Sequence, residues 1–429
     1  MASQLKRALG TPGAIMMGLG SIVGTGLFVS IAIATQVAGN GVVIAIFVAA
    51  LLAICNGLSS AQLAAAHPVS GGTYEYGYRY INSWFGFTAG WMFTFAKTAS
   101  AATAALGTIG YLLVLFDLSL SQTAITLLAL LFLAGMTLLV SGGITRSNTA
   151  NIFVVGLTMV GLGYFIIAGF ADGGVPIQPL SDPLFDDGYA AILYASALMF
   201  VAYTGYGRIA TLGEEVKEPL RTIPRAIILT MIIIVVLYAL TALTALHAVG
   251  ADDFAQTLDG RAAPLTAVAE TLKMPAIGIV VGVAAVTAMT GVLLNLLLGI
   301  SRVLLAMARR RDIPHTLSFI RSSNQSPVYA VMATGVIIGL FTLTGDVVVT
   351  WSFSAFTVLI YYSITNLAAL RLPPENRLFP RAISYAGLLG CLFLAFWISP
   401  VYWITGLGLI VIGLGWHWTA RRRSGSLTE

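Results

Sequence analysis

Long apolar runs, separated by short clusters of Gly, Pro and charged residues, recur from one end of the chain to the other. About 20 apolar residues is the length at which an α-helix crosses the hydrocarbon core of a bilayer. The pattern predicts twelve such spans, at 12–36, 41–64, 83–116, 121–140, 149–171, 186–212, 224–248, 275–308, 328–344, 347–370, 382–399 and 401–419. Spans 3 and 8 are longer than a bilayer needs, which implies tilt or protrusion. No stretch between spans has a soluble domain's composition. Hydrophobic residues are 58% of the 429 positions and charged residues 9%, against about a quarter charged in soluble proteins. The expectation is an all-α membrane protein, a single transmembrane domain over 1–429 with the lipid bilayer as its solvent.

Charge placement then orients the chain. With the N-terminus in the cytosol, 18 of the 22 basic residues, from Lys6 and Arg7 to Arg421, Arg422 and Arg423, fall at cytosolic ends. Arg261 and Lys273 fall on the far side, and Lys97 and Arg208 lie inside spans. Lys/Arg bias in short loops sets topology, so both termini are expected in the cytosol and the protein in the cell (inner or plasma) membrane. The net charge of +5 is thus a topological signal, and no nucleic-acid partner is expected. No small-residue cleavage site follows a short apolar region near Lys6 and Arg7, so span 1 is expected to be an uncleaved anchor. Cys55 and Cys391 lie in apolar runs, without the spacing of a disulfide framework or metal site. The outer loop 249–274, with Asp252, Asp253 and Asp259, is expected to form a lid or a short amphipathic element.

Two spans are interrupted at comparable places. Span 1 reads Gly18-Leu-Gly20-Ser21-Ile22-Val23-Gly24-Thr25-Gly26, and span 6 reads Tyr203-Thr204-Gly205-Tyr206-Gly207-Arg208. Glycine is poor inside helices and suited to unwound backbone or close approach to a ligand. Five helices separate the two clusters, so the two spans run in opposite directions, as an inverted repeat of 1–5 on 6–10 requires. A half-helix N-terminus offers free N–H groups and a positive dipole end to a carboxylate. A half-helix C-terminus offers carbonyls to an ammonium group or Na⁺. Irregular backbone at membrane depth must line a cavity or be buried in protein. Small residues also serve close helix packing, but paired interruptions in corresponding spans point to a transporter's binding site.

Several segments resemble the amino acid–polyamine–organocation transporters. They are Gly20-Ser-Ile-Val-Gly-Thr-Gly-Leu-Phe28, PVSGGTYEYGYRY at 68–80, GFTAGW at 86–91, the span 6 stretch 200–227, and RVLLAMARRRDIP at 302–314. The cationic and broad-range amino acid permease branches look nearest. The resemblance implies a LeuT-type fold: two inverted five-helix repeats, 1–171 and 186–370, plus two further helices, 382–419. It implies that the amides of Gly24, Thr25 and Gly26 hold a substrate carboxylate, and that the carbonyls of Ile22, Val201 and Thr204 hold its amino group. Tyr206 is expected as a wall or gate over the side chain. Glu214, Glu215 and Lys217 resemble an inner-gate motif, or form a solvated charged loop.

The sequence departs from that pattern in four respects. No Asp or Glu lies mid-span, so the carboxylate proton relay common in transporters has no member here. Lys97, by contrast, is expected mid-membrane in span 3 and facing the side-chain pocket. A charge at that depth is a functional residue by default; it either pairs with an anionic or polar substrate side chain or changes protonation during transport. On span 5, where some relatives carry a lysine in place of a sodium ion, the matching residue is Thr158. That leaves room for Na⁺ or for another proton site, and carbonyls of Gly20 and Val23 with hydroxyls of Thr287 and Thr290 are the residues expected around Na⁺. Arg208 is expected to close an inner gate with Glu214 or Glu215, or to reach the headgroups.

No resident cofactor is expected, only Na⁺ or H⁺ as a coupling ion. His67, His247, His315 and His417 are scattered, and no HExxH, GxSxG or Walker sequence is present, so an enzyme is not expected. The expected function is secondary transport of an amino acid. A non-transporting sensor on the same fold is the alternative, and substrate identity, coupling ion and oligomeric state do not follow from the sequence.

Overall fold

The computed structural model describes residues 10–67, 71–143, 148–173, 184–210, 216–258, 262–321 and 326–425. Each predicted span is helical in it. Helix α1 comes in three pieces, Thr11–Ile22, Thr25–Phe28 and Ser30–Ala38. Then follow α2 (Val42–Ala66), α3 (Ser83–Leu115), α4 (Gln122–Ser141) and α5 (Asn148–Gly173). Helix α6 (Gly188–Tyr203) is continued by a 3₁₀ turn, Thr204–Tyr206, and a last piece, Gly207–Ala210. The remainder are α7 (Pro219–Val249), α8 (Ile277–Arg309), α9 (Val328–Thr342), α10 (Val347–Leu370), α11 (Arg381–Ala395) and α12 (Pro400–Gly425). The outer loop holds two short helices, Ala251–Gln256 and Pro264–Thr271.

Polar residues at the boundaries explain where several helices start. Asn82 accepts from Phe85 N–H, Ser121 from Ala124 N–H, and Asp346 from Val348 and Val349 N–H, each satisfying donors that a first helical turn leaves open. Helix α7 stops at Gly250, whose φ of 82° is a left-handed geometry that glycine adopts without a Cβ penalty.

Packing sorts the helices into an enclosed scaffold and a lipid-facing shell. Helices α3 and α10 are the most enclosed, and their contact is stitched by hydroxyls. Ser100 Oγ meets Ser354 Oγ at 2.8 Å, Thr103 Oγ1 meets Thr350 Oγ1 at 2.8 Å, and Ser354 Oγ donates to Ala96 O at 2.9 Å. Small residues with hydroxyls allow this close approach in lipid, where burial of apolar surface gives no drive between helices. Leu131, Phe153 and Val411 are exposed instead, as lipid-facing residues must be.

At the end of the molecule that carries the basic residues, the segment after α8 is pinned by a buried carboxylate. Asp312 accepts from Tyr74 Oη at 2.7 Å and from Tyr78 Oη at 2.7 and 2.8 Å. Its backbone carbonyl accepts from Trp416 Nε1 of α12 at 2.8 Å, and His417 Nδ1 lies 3.3 Å from its Oδ1. Arg310 pairs with Glu75 and sits 4.4 Å over the Tyr78 ring. The helix Thr73–Tyr80, α8 and α12 are thereby fixed to one another.

Burial, and secondly the Asp312 carboxylate, push the Tyr74 and Tyr78 hydroxyls well above the ordinary tyrosine range. A raised folded-state value contributes stability that is complete below the unfolded value, about 10, and is lost as pH rises beyond it. The melting temperature in detergent is therefore expected to fall above about pH 10. A melting temperature that rises through that window contradicts the assignment.

Candidate functional site

The break in α1 lies between Ile22 and Thr25. Val23 is extended (φ −78°, ψ 106°), and the helix restarts at Thr25, with Gly24 O accepting from Leu27 and Phe28 N–H at 2.9 Å each. The opening turn of the restarted helix leaves N–H groups without intrahelical acceptors. Thr25 Oγ1 beside them is buried with no hydrogen-bond partner, and Thr25 and Gly26 line a cavity.

The glycines here are set by backbone packing as much as by access. A Cβ on Gly24 would lie 2.5 Å from Val292 Cγ2 of α8, and one on Gly26 would lie 2.9 Å from Ala202 Cα of α6. A Cβ on Gly205 would run into the Ser21 carbonyl. Helices α1 and α6 therefore meet backbone to backbone at the break, and the Val292 side chain of α8 packs on Gly24.

Helix α6 is tightened there and not unwound. Its α-helical hydrogen bonding ends at Tyr203 and passes into the 3₁₀ turn Thr204–Tyr206. Two tyrosines from other helices bridge the breaks. Tyr238 Oη of α7 lies 3.4 Å from Ile22 O and 3.1 Å from Ala202 O, while Tyr362 Oη of α10 donates to Thr204 O at 3.1 Å. Thr204 Oγ1 donates to Val201 O at 2.7 Å. The three carbonyls expected to hold an amino group thus each have a hydroxyl within reach, and a carbonyl has a second lone pair to offer. Lys97 of α3 is 9% exposed, and its Nζ donates to Thr204 Oγ1 at 2.8 Å.

These groups surround a cavity of about 910 Å³. At its closed end Trp351 Nε1 donates to Leu198 O at 3.0 Å. Beyond it, Tyr111 Oη donates to Phe28 O at 2.7 Å and accepts from Leu265 N–H at 3.1 Å. That second tie clasps α3, α1 and the buried outer-loop helix Pro264–Thr271. At the other end the lining reaches Arg302 and Arg309 of α8, both exposed. The cavity thus opens at the basic end and is sealed at the opposite one.

Of the residues expected at the site, Ile22, Thr25, Gly26, Lys97, Val201 and Thr204 line this cavity together. Gly24 is not in the lining; Val292 covers it. Tyr206, expected over the substrate side chain, is fully buried off the cavity and faces the Tyr362 ring at 5.4 Å. Tyr361, Tyr362, Phe93 and Trp351 form the aromatic walls instead. Glu214 and Glu215 lie outside the described residues, and Lys217 is exposed.

The residues expected around sodium do not come together. The face of α8 against the α1 break carries Ala288 and Val292, which approach Gly24, and Asn295, whose Nδ2 donates to Gly20 O at 3.4 Å. At 3.6 residues per turn, Thr287 and Thr290 stand roughly 100° and 170° around the helix from that stripe. Thr287 Oγ1 donates to carbonyls of its own helix, Val283 and Ala284, and Val23 is not in the cavity lining. Thr158 donates to Val154 O at 2.7 Å. Asn151 of α5, which donates to Met16 O at 2.8 Å and abuts Gly20, joins Asn295 as the polar surroundings of Gly20. Asn295 stands out in the sequence as a lone amide in an apolar run, whereas Asn151 sits at the polar start of its span, and no spacing in the sequence connects them.

Comparison with known proteins places this architecture. The amino acid permease family model matches residues 13–424. The chain belongs to the amino acid permease family, within the amino acid–polyamine–organocation superfamily. An uncharacterized transporter of Mycobacterium tuberculosis is 37% identical over 412 residues, covering 96% of this chain and 90% of that protein. The branched-chain amino acid permease BcaP of Bacillus subtilis is 26% identical, covering 99% and 95%. The cationic amino acid transporter 7 of Arabidopsis thaliana is 24% identical, covering 86% and 66%. Among solved structures, that of MhsT in complex with L-phenylalanine matches with a TM-score of 0.65 at 16% identity, covering 92% of this permease and all of that chain. The permease accordingly has the LeuT-type fold, five helices repeated in inverted orientation plus two more, and is a multi-pass membrane protein.

Proposed function

We propose that this permease moves an amino acid across the membrane by alternating access, with the substrate bound where the breaks of α1 and α6 face each other. The observation that carries the reading is the one-sided cavity: it ends at both breaks, is sealed beyond them by the Trp351 and Tyr111 ties, and opens between Arg302 and Arg309. Basic residues favour the cytosolic side, so the open end and both termini are assigned to the cytosol. The substrate carboxylate takes the N–H groups of the restarted α1 and the Thr25 hydroxyl. Its ammonium takes the spare lone pairs of Ile22, Val201 and Thr204. Rocking the α1/α6 bundle against the α3/α10 scaffold would break the outer ties and close the inner mouth. The relatives named for branched-chain and for cationic amino acids support an amino acid substrate without choosing its side chain.

The buried Thr25 hydroxyl gives a direct test. Thr25→Val keeps the shape and removes a hydrogen bond to a charged group, worth about 1.5–3 kcal/mol. Affinity for the transported amino acid is expected to fall at least about ten-fold, with the melting temperature unchanged. Wild-type affinity in this variant rules out the carboxylate position. The coupling mode, Na⁺ symport, H⁺ symport or exchange, is read from flux under imposed gradients.

A further inference from the structure

The binding site described above carries a cation of its own. Lys97 lies near the middle of α3 (Ser83–Leu115). Among the described residues, the one hydrogen bond of its Nζ is to a neutral acceptor, Thr204 Oγ1. An ammonium has three donors, and Lys97 lines the cavity, so the remaining ones are available to the cavity's occupant. The other charged residues of the described lining are Arg208, Arg302 and Arg309, and no carboxylate is among them. From the mouth to the breaks, the described charges on the path are therefore all positive.

This arrangement conflicts with a net-neutral amino acid. Thr204 Oγ1 bonds at once to Lys97 Nζ and to Val201 O, so a substrate ammonium on the Val201 carbonyl sits one hydroxyl away from the lysine. Two cations at that separation in a low-dielectric site repel. An aliphatic side chain leaves that repulsion uncompensated, and a basic one adds to it. A side-chain carboxylate reverses it, because one anion then lies against both cations, and a charge-assisted hydrogen bond is about twice as strong as a neutral one. Phe93, Ser100 and Tyr361 provide the rest of the wall without a competing charge.

Resting on the transporter reading above, we propose that the side-chain subsite takes a carboxylate, so that the preferred substrates are acidic amino acids held by Lys97. The test is competition binding to the full-length protein with L-glutamate, L-aspartate, L-glutamine, L-asparagine, L-leucine and L-arginine, followed by uptake of the same panel into proteoliposomes. Glutamate or aspartate is expected to bind at least about ten-fold tighter than its uncharged isostere, since one such charged hydrogen bond carries that much. Lys97→Met should bring the acid-to-amide affinity ratio to parity, and Lys97→Arg should keep the preference. Leucine, arginine or the amides binding wild-type protein as well as the acids do overturns the proposal, as does an undiminished acid preference in Lys97→Met. The wild-type ratios decide even where a variant does not fold. Transport of leucine or arginine without glutamate sinks this inference and leaves the transporter reading intact, whereas no flux of any amino acid sinks the latter.

Discussion

Asp312→Ala is expected to destabilise the folded permease by about 3–6 kcal/mol, the sum of one buried and one half-buried hydroxyl that lose a charged acceptor at roughly 1.5–3 each. Tyr74 and Tyr78 both end on this carboxylate, and His417, stacked on Phe87 at 4.5 Å, has its Nδ1 3.3 Å from it. In the variant the helix Thr73–Tyr80, the end of α8 and α12 lose their common anchor. Asp312→Asn keeps one acceptor oxygen and should lose about half as much. Melting of purified protein in detergent measures both. A lowered midpoint in the order wild type, Asn, Ala is the expected result, and an Ala variant that melts with wild type removes the anchor from the account.

Gly205→Ala is the second large effect, and it falls on transport. Only a methyl group is added, at a backbone conformation that alanine tolerates, but the methyl meets the Ser21 carbonyl of α1 with no flexible side chain to yield. Overpacking of this kind costs about 1–3 kcal/mol, and it falls on a point where the breaks of the two helices touch. Flux is expected to fall roughly ten-fold or more while the protein remains monodisperse. Wild-type flux in Gly205→Ala shows that the α1/α6 contact is not needed in the transport cycle. Leucine substitutions at the glycines of the α1 break discriminate less well. Gly24→Leu would collide with Val292 and Gly26→Leu with Tyr238 and Ala202, so either disrupts packing before it blocks a carboxylate.

The sequence was most informative where physics is local. Twelve helices follow from apolar run length alone, and the structure moves most boundaries by only a few positions. The glycine runs correctly marked the two interruptions. They did not reveal that α6 tightens into a 3₁₀ turn, nor that Gly24 is covered by Val292. Long-range pairings were out of reach altogether. Asp312 read as an acid at a helix end, because its tyrosines lie 234 and 238 positions away. Lys97 was flagged by its cost in a membrane, but its partner Thr204 is 107 positions off. Tyr206 was assigned to the wall because it adjoins the break, whereas the turn directs it into the protein against Tyr362, and the wall comes from aromatics on α3 and α10 that carry no motif of their own.

Uptake and counterflow of a panel of radiolabelled amino acids in proteoliposomes, with and without imposed Na⁺ and pH gradients, tests the central claim most directly. The account predicts flux of at least one amino acid, driven by a gradient or by unlabelled substrate on the far side, and abolished when the α1/α6 contact is spoiled. Saturable binding with no flux and no counterflow under any gradient contradicts it, and makes the same cavity the site of a sensor.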